Sequence, residues 1–460
     1  MTTTGPRTSY SPFGGRVLSD VAAKDLATLK DVSEGWFIEY KSQLILARSL
    51  AKSLASFANH YGGWLFLGIQ EDPSTFTAGS FPGLPDHEVS DALESLRNAS
   101  KDLLNPFVFY EPLVLPGPVD AVGLNTGHLI LVIRVPQGAD CPYVHNDGRI
   151  YRRVADSSDP KPETDRAILD LLSERSANAR AQLKEIVLRK PSTSKGEESN
   201  CFIHFNILSD PYGIKDDLYA GGFSEFSEAM KQHELPMDNI FPKSGGFIAR
   251  QVANNDPYNR IFTWEFSRRC HSLVTLPVSL NRHQHAEFLT GYSSGDAFAR
   301  MVSEAGLAET RVMDLNMVFD ACVAIARLHR SLVSQSGIRG PFYFKAYIEN
   351  AWRAVPFIDI AEFLTHCEAH GLPVVQDTDI LAPLGTGLET FVELPERDPV
   401  GPDSTTSDAD ARDDAIQLSL PIFRALGIPG ELFATSPLEF VTAGQRAKEV
   451  QQLRNSRPDS

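Results

Sequence analysis

Between Trp36 and Asp72 the spacing of polar and apolar residues changes twice. Trp36, Ile38 and Tyr40 alternate with Phe37, Glu39 and Lys41, a period of two that predicts a strand with Glu39 and Lys41 on one side and Trp36, Ile38 and Tyr40 on the other. Ser33 and Gly35 predict a bend just before it, one that would carry Glu34 round toward Glu39. Leu44, Ala47, Leu50, Ala51, Leu54, Ala55 and Ala58 then fall at helical spacing, with Arg48 and Lys52 a turn apart on the polar side, so an amphipathic helix packed on a sheet is expected. It should end at Asn59-His60-Tyr61-Gly62-Gly63, because glycine takes a positive φ without a side-chain clash. Trp64 to Ile69 is apolar on both faces, as in a central buried strand, and Gln70-Glu71-Asp72 lies where it emerges, before Pro73.

Further on, Arg149 to Arg153 lies between the turn residues Asn146-Asp147-Gly148 and a Ser-Asp-Pro loop, as a short edge or hairpin strand would. An apolar stripe through Ile168, Leu171, Leu172, Ala177, Leu183 and Ile186 predicts a helix from about Pro162 to Leu188. Residues 201–396 change style. Strands are expected over 201–208, 247–252, 261–266, 273–280 and 342–348, with helices over 297–305 and 315–333, which makes a second α+β domain. The organisation read from these patterns is a flexible N-terminus (1–19), a first domain (20–189), a linker (190–200), the second domain (201–396), an acidic linker (397–414) and a C-terminal helical segment (415–460).

The first domain resembles the Schlafen-type AlbA-like domain. The likeness rests on Glu34, Glu39-Tyr40-Lys41, Ser56-Phe57-Ala58-Asn59-His60-Tyr61-Gly62-Gly63 and Gly68-Ile69-Gln70-Glu71. Phe81-Pro82-Gly83-Leu84, Asn105-Pro106, the strand from His128 to Val135, Cys141-Pro142-Tyr143 and Asp147 to Arg153 follow in the family's order. It covers about residues 20–175 and implies an α+β fold, a mixed sheet with packed helices. In the nuclease members three acidic residues hold a divalent cation. The resemblance carries that role to Glu34, Glu39 and Glu71, with Mg²⁺ or Mn²⁺ as the ion and Lys41 steadying charge on the phosphate. Gln70 stands at a position usually acidic in the family, and Glu71 where aspartate is usual. Without the resemblance, the same residues read as an exposed strand pair, a loop carboxylate and a solvated strand end.

A formal charge of −16 over 460 residues argues against broad binding to a polyanion and confines any nucleic-acid contact to a local patch. The candidate cations are Arg48, Lys52, Arg134, Arg149, Arg152 and Arg153, beside Lys41. No run approaches the roughly 20 apolar residues of a membrane helix, and the first residues lack a signal-peptide core, so a cytoplasmic protein with no membrane partner is expected. Five scattered cysteines contain no Cys-x-x-Cys pair, so neither a zinc ribbon nor a disulfide framework is indicated. His366 and His370, one helical turn apart, lack the adjacent glutamate of a metalloprotease, and His271, His283 and His285 have no carboxylate cluster with them.

These features imply a nucleic-acid-binding protein whose stronger form would be a divalent-metal-dependent nuclease acting on RNA or single-stranded DNA. The alternative is a non-catalytic nucleic-acid- or nucleotide-binding regulator whose second domain senses a ligand or mediates assembly. A homo-oligomer stays open.

Overall fold

The computed structural model describes residues 10–14, 18, 21–154, 157–190, 200–209, 211, 218–232, 237, 239–252, 260–279, 289, 291–336, 338–397 and 407–434. The class is α+β. The chain divides into two units, Met1–Ala181 and Gln182–Ser460.

In the first unit the expected strand is β1, Ile38–Lys41, and the expected helix is α1, Ala47–Asn59. The central strand is β2, Gly63–Leu67. β1 runs parallel to β2 with Glu39 opposite Leu65 and Lys41 opposite Leu67, and α1 is the crossover between them. Gly68, at φ 97°, ends β2. The chain then makes a small hairpin of β3, Gln70–Glu71, with β4, Ala78–Ser80. Strand β5, Leu84–Pro85, and helix α2, Val89–Asp102, follow. Strands β6, Leu104–Asn105, β7, Glu111–Pro116, β8, His128–Val135, and β9, Val144–His145, come next. The main sheet runs β1-β2-β8-β5, with β7 also on β8.

Both faces of this sheet are covered, which is why β2 is apolar throughout. Leu65, Leu67, Leu131 and Ile133 pack against Leu50, Leu54 and Leu96 of the helices. Ile38, Tyr40, Trp64, Phe66, Ile130 and Val132 pack on the other side against Phe13, Leu26 and Leu29. Glu39, two positions from Lys41 and alternating with Ile38 and Tyr40, therefore points toward α1.

β10, Tyr151–Val154, forms a hairpin with β11, Ser157–Pro162. The segment around Ser157 to Pro160, read above as a loop, is thus an edge strand; Pro160 and Pro162 are tolerated because an edge strand needs fewer N–H donors. Helix α3 is Arg166–Leu188, and the division between the units falls inside it.

The second unit is built on β12, Cys201–Leu208, at the middle of a large antiparallel sheet. Before it pair the other long strands come α4, Phe223–Gln232, and β13, Asn239–Lys243. β14 is Gly246–Val252, β15 Arg260–Ser267 and β16 Ser272–Ser279. Helix α5, Gly295–Glu304, and the short strand β17, Val312–Asp314, lead into α6, Leu315–Ser334. β18, Phe342–Glu349, flanks β12 opposite β16. β19, Val355–Phe357, pairs with β17, and helix α7 is Ala361–His370. β20, Ile380–Ala382, and β21, Val392–Leu394, both pair with β18. Residues 408–414, assigned above to an acidic linker, are instead the start of helix α8, Asp408–Ala425. Ser407 caps it by accepting from the Asp410 amide at 3.0 Å. Asp414 is fully buried there between Arg330 of α6 (2.5 Å) and Arg397 (3.1 Å), so charges that read as solvated by composition hold the helix in place. Residues 191–199, 398–406 and 435–460 lie outside the described residues, as do His283 and His285. Among the described residues no helix is long and apolar enough to cross a membrane.

Candidate functional site

The motif residues of the first unit converge on the ends of β1 and α1. The Phe57-to-Gly63 segment shows why this turn has its sequence. Asn59, buried at the last position of α1, donates through Nδ2 to the carbonyls of Tyr143 (2.9 Å) and Tyr151 (3.0 Å) and accepts the Tyr143 amide at 2.8 Å. It thus ties the loop at Cys141 to Tyr143 and strand β10 to the helix end. A Cβ on Gly63 would stand 2.2 Å from the Phe57 ring, and Gly62 sits at φ 79°, so neither position accepts a larger residue without displacement. Arg175 of α3 donates to the carbonyls of Ala58 (3.1 Å), Asn59 (3.3 Å) and His60 (3.0 Å), placing a cation at the helix C-terminus.

The bend before β1 is present, closed by the Gly35 amide donating to the Ile38 carbonyl at 3.2 Å. It presents the Glu34 carboxylate to the Tyr40 amide, which donates to Oε1 at 2.5 Å. Burial pushes the Glu34 carboxyl up to about 7; that bond and the charge of Lys41 oppose the rise, while Glu71 and Glu39 add to it. Glu34, Glu39, Glu71 and Lys41 therefore share one electrostatic neighbourhood.

Glu39 is 1% exposed, and both of its oxygens are engaged. Oε1 accepts from Ser53 of α1 at 2.9 Å and meets Lys41 Nζ at 3.2 Å; Oε2 accepts from Arg153 Nη1 at 2.8 Å. Arg153 is equally buried. Its guanidinium also donates to the Gly35 carbonyl (2.5 and 3.1 Å) and the Ile38 carbonyl (3.0 Å), and lies 4.7 Å from the centre of the Phe57 ring. The donor set does not suit a divalent cation. Such an ion needs carboxylate oxygens open to it, whereas the central carboxylate already has an arginine, a lysine and a hydroxyl on its two oxygens. Among the described residues no group of three or more His, Cys, Asp or Glu side chains has an arrangement able to hold a metal. His366 and His370 lie ring to ring at 4.7 Å with no third such partner.

Of the cations expected to meet nucleic acid, Arg153 is a correction: it is core, buried against Glu39, whose desolvated carboxylate it neutralises together with Lys41. Arg134, on β8, is mostly covered, paired with Glu111 at 2.9 Å and lying over the Trp64 ring. Arg152 pairs with Glu163 at 3.0 Å and is about one-fifth exposed. Lys52 is half-buried over the Tyr151 ring. Arg48 and Arg149 are exposed. Arg149 stands in the turn before β10, where Asp147 accepts its amide at 3.0 Å and the Tyr151 hydroxyl at 2.7 Å. The outward cationic set is thus smaller than the sequence pattern implied: Arg48 and Arg149 exposed, with Lys52 and Arg152 partly so.

Trp36 is a second correction. β1 begins only at Ile38, so Trp36 lies in the bend, 38% exposed, rather than on the inward side with Ile38 and Tyr40. Its neighbours His60 and Tyr61, and the capping Arg175, were not foreseen as part of this site; a run of aromatic and histidine residues at a helix end was the signal available.

The first unit is thus a covered mixed sheet whose motif residues Glu39, Arg153 and Asn59 are packed around helix α1 and the bend before β1. Residues 34–162 match the family model described as Schlafen, AlbA_2, and over that stretch the chain carries this domain. The family is generally nucleic-acid binding. Among solved structures, the chain is similar to the N-terminal domain of a RecG-related protein from Nitrosomonas europaea, with 27% identity over 32% of this chain and 96% of that one and a TM-score of 0.23. It is also similar to the DIP2311 protein from Corynebacterium diphtheriae, with 16% identity over 44% of this chain and 35% of that one and a TM-score of 0.19. No curated protein matches the chain.

Proposed function

We propose that the first unit is a nucleic-acid-binding module that holds its ligand without cleaving it, and that the second unit supplies control or assembly. The observation that carries the non-catalytic reading is the engagement of Glu39: with Arg153, Lys41 and Ser53 on its oxygens, the carboxylate at the centre of the motif serves the fold. The family match supports the ligand class. The small outward cationic set supports local, salt-sensitive contact, which suits a chain of net charge −16.

A second reading, cleavage of RNA or single-stranded DNA with Mg²⁺ or Mn²⁺ at Glu34, Glu39 and Glu71, draws support from the field these carboxylates share with Lys41. It requires Glu39 to exchange its arginine for an ion. One experiment separates the two: the purified full chain is incubated with labelled RNA and labelled single-stranded DNA in Mg²⁺, in Mn²⁺ and in EDTA. The proposal expects a retarded complex of equal strength in all three and intact ligand throughout. Metal-dependent fragments would overturn it in favour of the nuclease, and no complex under any condition would remove the ligand class.

A further inference from the structure

Beside the buried Glu39–Arg153 pair lies a run of aromatic rings that the packing does not use up. Trp36 is 38% and Tyr61 56% exposed, and their rings lie 6.1 Å apart and 14° from parallel. His60 packs against both, its ring centre 4.7 Å from that of Trp36 and 4.1 Å from that of Tyr61. Phe37 continues the run behind Tyr61 at 6.4 Å, with Tyr10, 40% exposed, stacked on it at 5.0 Å.

Trp36 stands in the bend before β1 and Tyr61 in the turn after α1, so two separate segments bring two large, exposed rings together nearly parallel, an arrangement costly in water. Two further features mark this spot. His60 is 6% exposed, yet its Nδ1 has no hydrogen-bond partner among the described residues, a condition that buried polar atoms rarely keep. Three guanidiniums also stand near it, Arg153 paired with Glu39, Arg152 with Glu163, and Arg175 on the carbonyls of the helix end. Burial, with the charges of Arg152, Arg175 and Arg153 adding to it, lowers the His60 imidazole to about 4, so all three guanidiniums act on this spot and the ring is neutral at physiological pH.

We propose that Trp36 and Tyr61 form a stacking platform for unpaired bases of a single-stranded nucleic acid, with Arg152 at its margin facing the phosphate backbone. Flat, exposed rings bind bases of any sequence through their π-faces, and a positive margin follows the backbone. Bases in a duplex are already stacked on one another and offer no free face, so the platform selects single strands. This deepens the nucleic-acid reading above and rests on it.

The test uses the full chain with a labelled oligodeoxythymidine and a labelled DNA hairpin, each titrated by fluorescence anisotropy at several salt concentrations. Trp36→Leu and Tyr61→Leu should each weaken single-strand binding by about 5- to 150-fold, the range for loss of one stacked base. The slope against salt should stay unchanged, because no phosphate contact is lost. Hairpin binding should stay within about twofold, inside the usual scatter of a surface substitution. Trp36→Phe keeps a π-face and should retain most of the affinity, which separates loss of stacking from loss of fold. Leucine variants that bind the single strand like the unaltered protein, or that lose both ligands equally while Trp36→Phe also fails, would overturn the platform and leave the binding module standing. An unaltered protein that binds neither ligand would bring down the binding module and the platform with it.

Discussion

Replacing Arg153 by Met tests the central assignment, because this arginine reads as a phosphate contact from its sequence position and as core from its surroundings. Methionine fills similar volume over the Phe57 ring but removes the charge facing Glu39 and the donors to the Gly35 and Ile38 carbonyls. Removing one partner of a buried ion pair costs about 3–5 kcal/mol, because the remaining charge stays desolvated. The freed carbonyls add up to about 1 kcal/mol each where water cannot reach them. We therefore expect the first unit to lose about 4 kcal/mol. Hydrogen exchange followed by mass spectrometry on the full chain reads this locally: amides of β1, α1 and β2 should lose about a thousandfold protection, at about 1.4 kcal/mol per tenfold, while β12 and α6 keep theirs. Adding Glu39→Gln to Arg153→Met should recover about 2 kcal/mol, since it removes a buried charge left with Lys41 as its one cationic partner. Protection in Arg153→Met within about tenfold of the unaltered chain, together with a clear loss of nucleic-acid affinity, would refute the argument and return Arg153 to the ligand surface.

Arg48→Ala and Arg149→Ala should each flatten the dependence of log affinity on log salt by about one unit, whereas Arg134→Ala, already paired with Glu111, should leave the slope unchanged in the same filter-binding series. Glu34 holds its proton more tightly folded (about 7) than at its ordinary value of 4.5, so the stability it contributes is full below about pH 4.5 and is lost as pH rises through about 7. Glu34→Gln, which keeps the acceptor for the Tyr40 amide, should remove that decline, about 1–2 kcal/mol after discounting for the group's partial contact with water. Urea titrations of both proteins across that pH range check it, and parallel curves would exclude Glu34 as the source. Asp414→Asn strands the Arg330 guanidinium and should destabilise the second unit by about 3–5 kcal/mol, seen as lost exchange protection in α6 and α8.

Local periodicity contained much of this protein. The period-two run over Glu39 and Lys41 placed both side chains on one face, where they meet at 3.2 Å; the helical spacing after Leu44 marked the buried face of α1; and the doubly apolar run at Trp64 announced a covered strand. The long strands and helices of the second unit were legible for the same reason, since burial on one face imposes its period on the neighbouring residues. Long-range closure decided the rest. Glu39 and Arg153 lie 114 positions apart, and nothing local marks which of two adjacent arginines in β10 turns inward, because that depends on the hairpin being seated on α1 by Asn59. Composition likewise marked the acidic run through Asp414 as solvent-facing, and only the arrival of Arg330 and Arg397 from distant elements made burial of that carboxylate favourable. Sequence alone determined which residues share a face, because that is set within a few bonds. The tertiary structure decided which charges are matched and buried, and which rings stay exposed, because a charge's cost depends on the partner that packing brings to it.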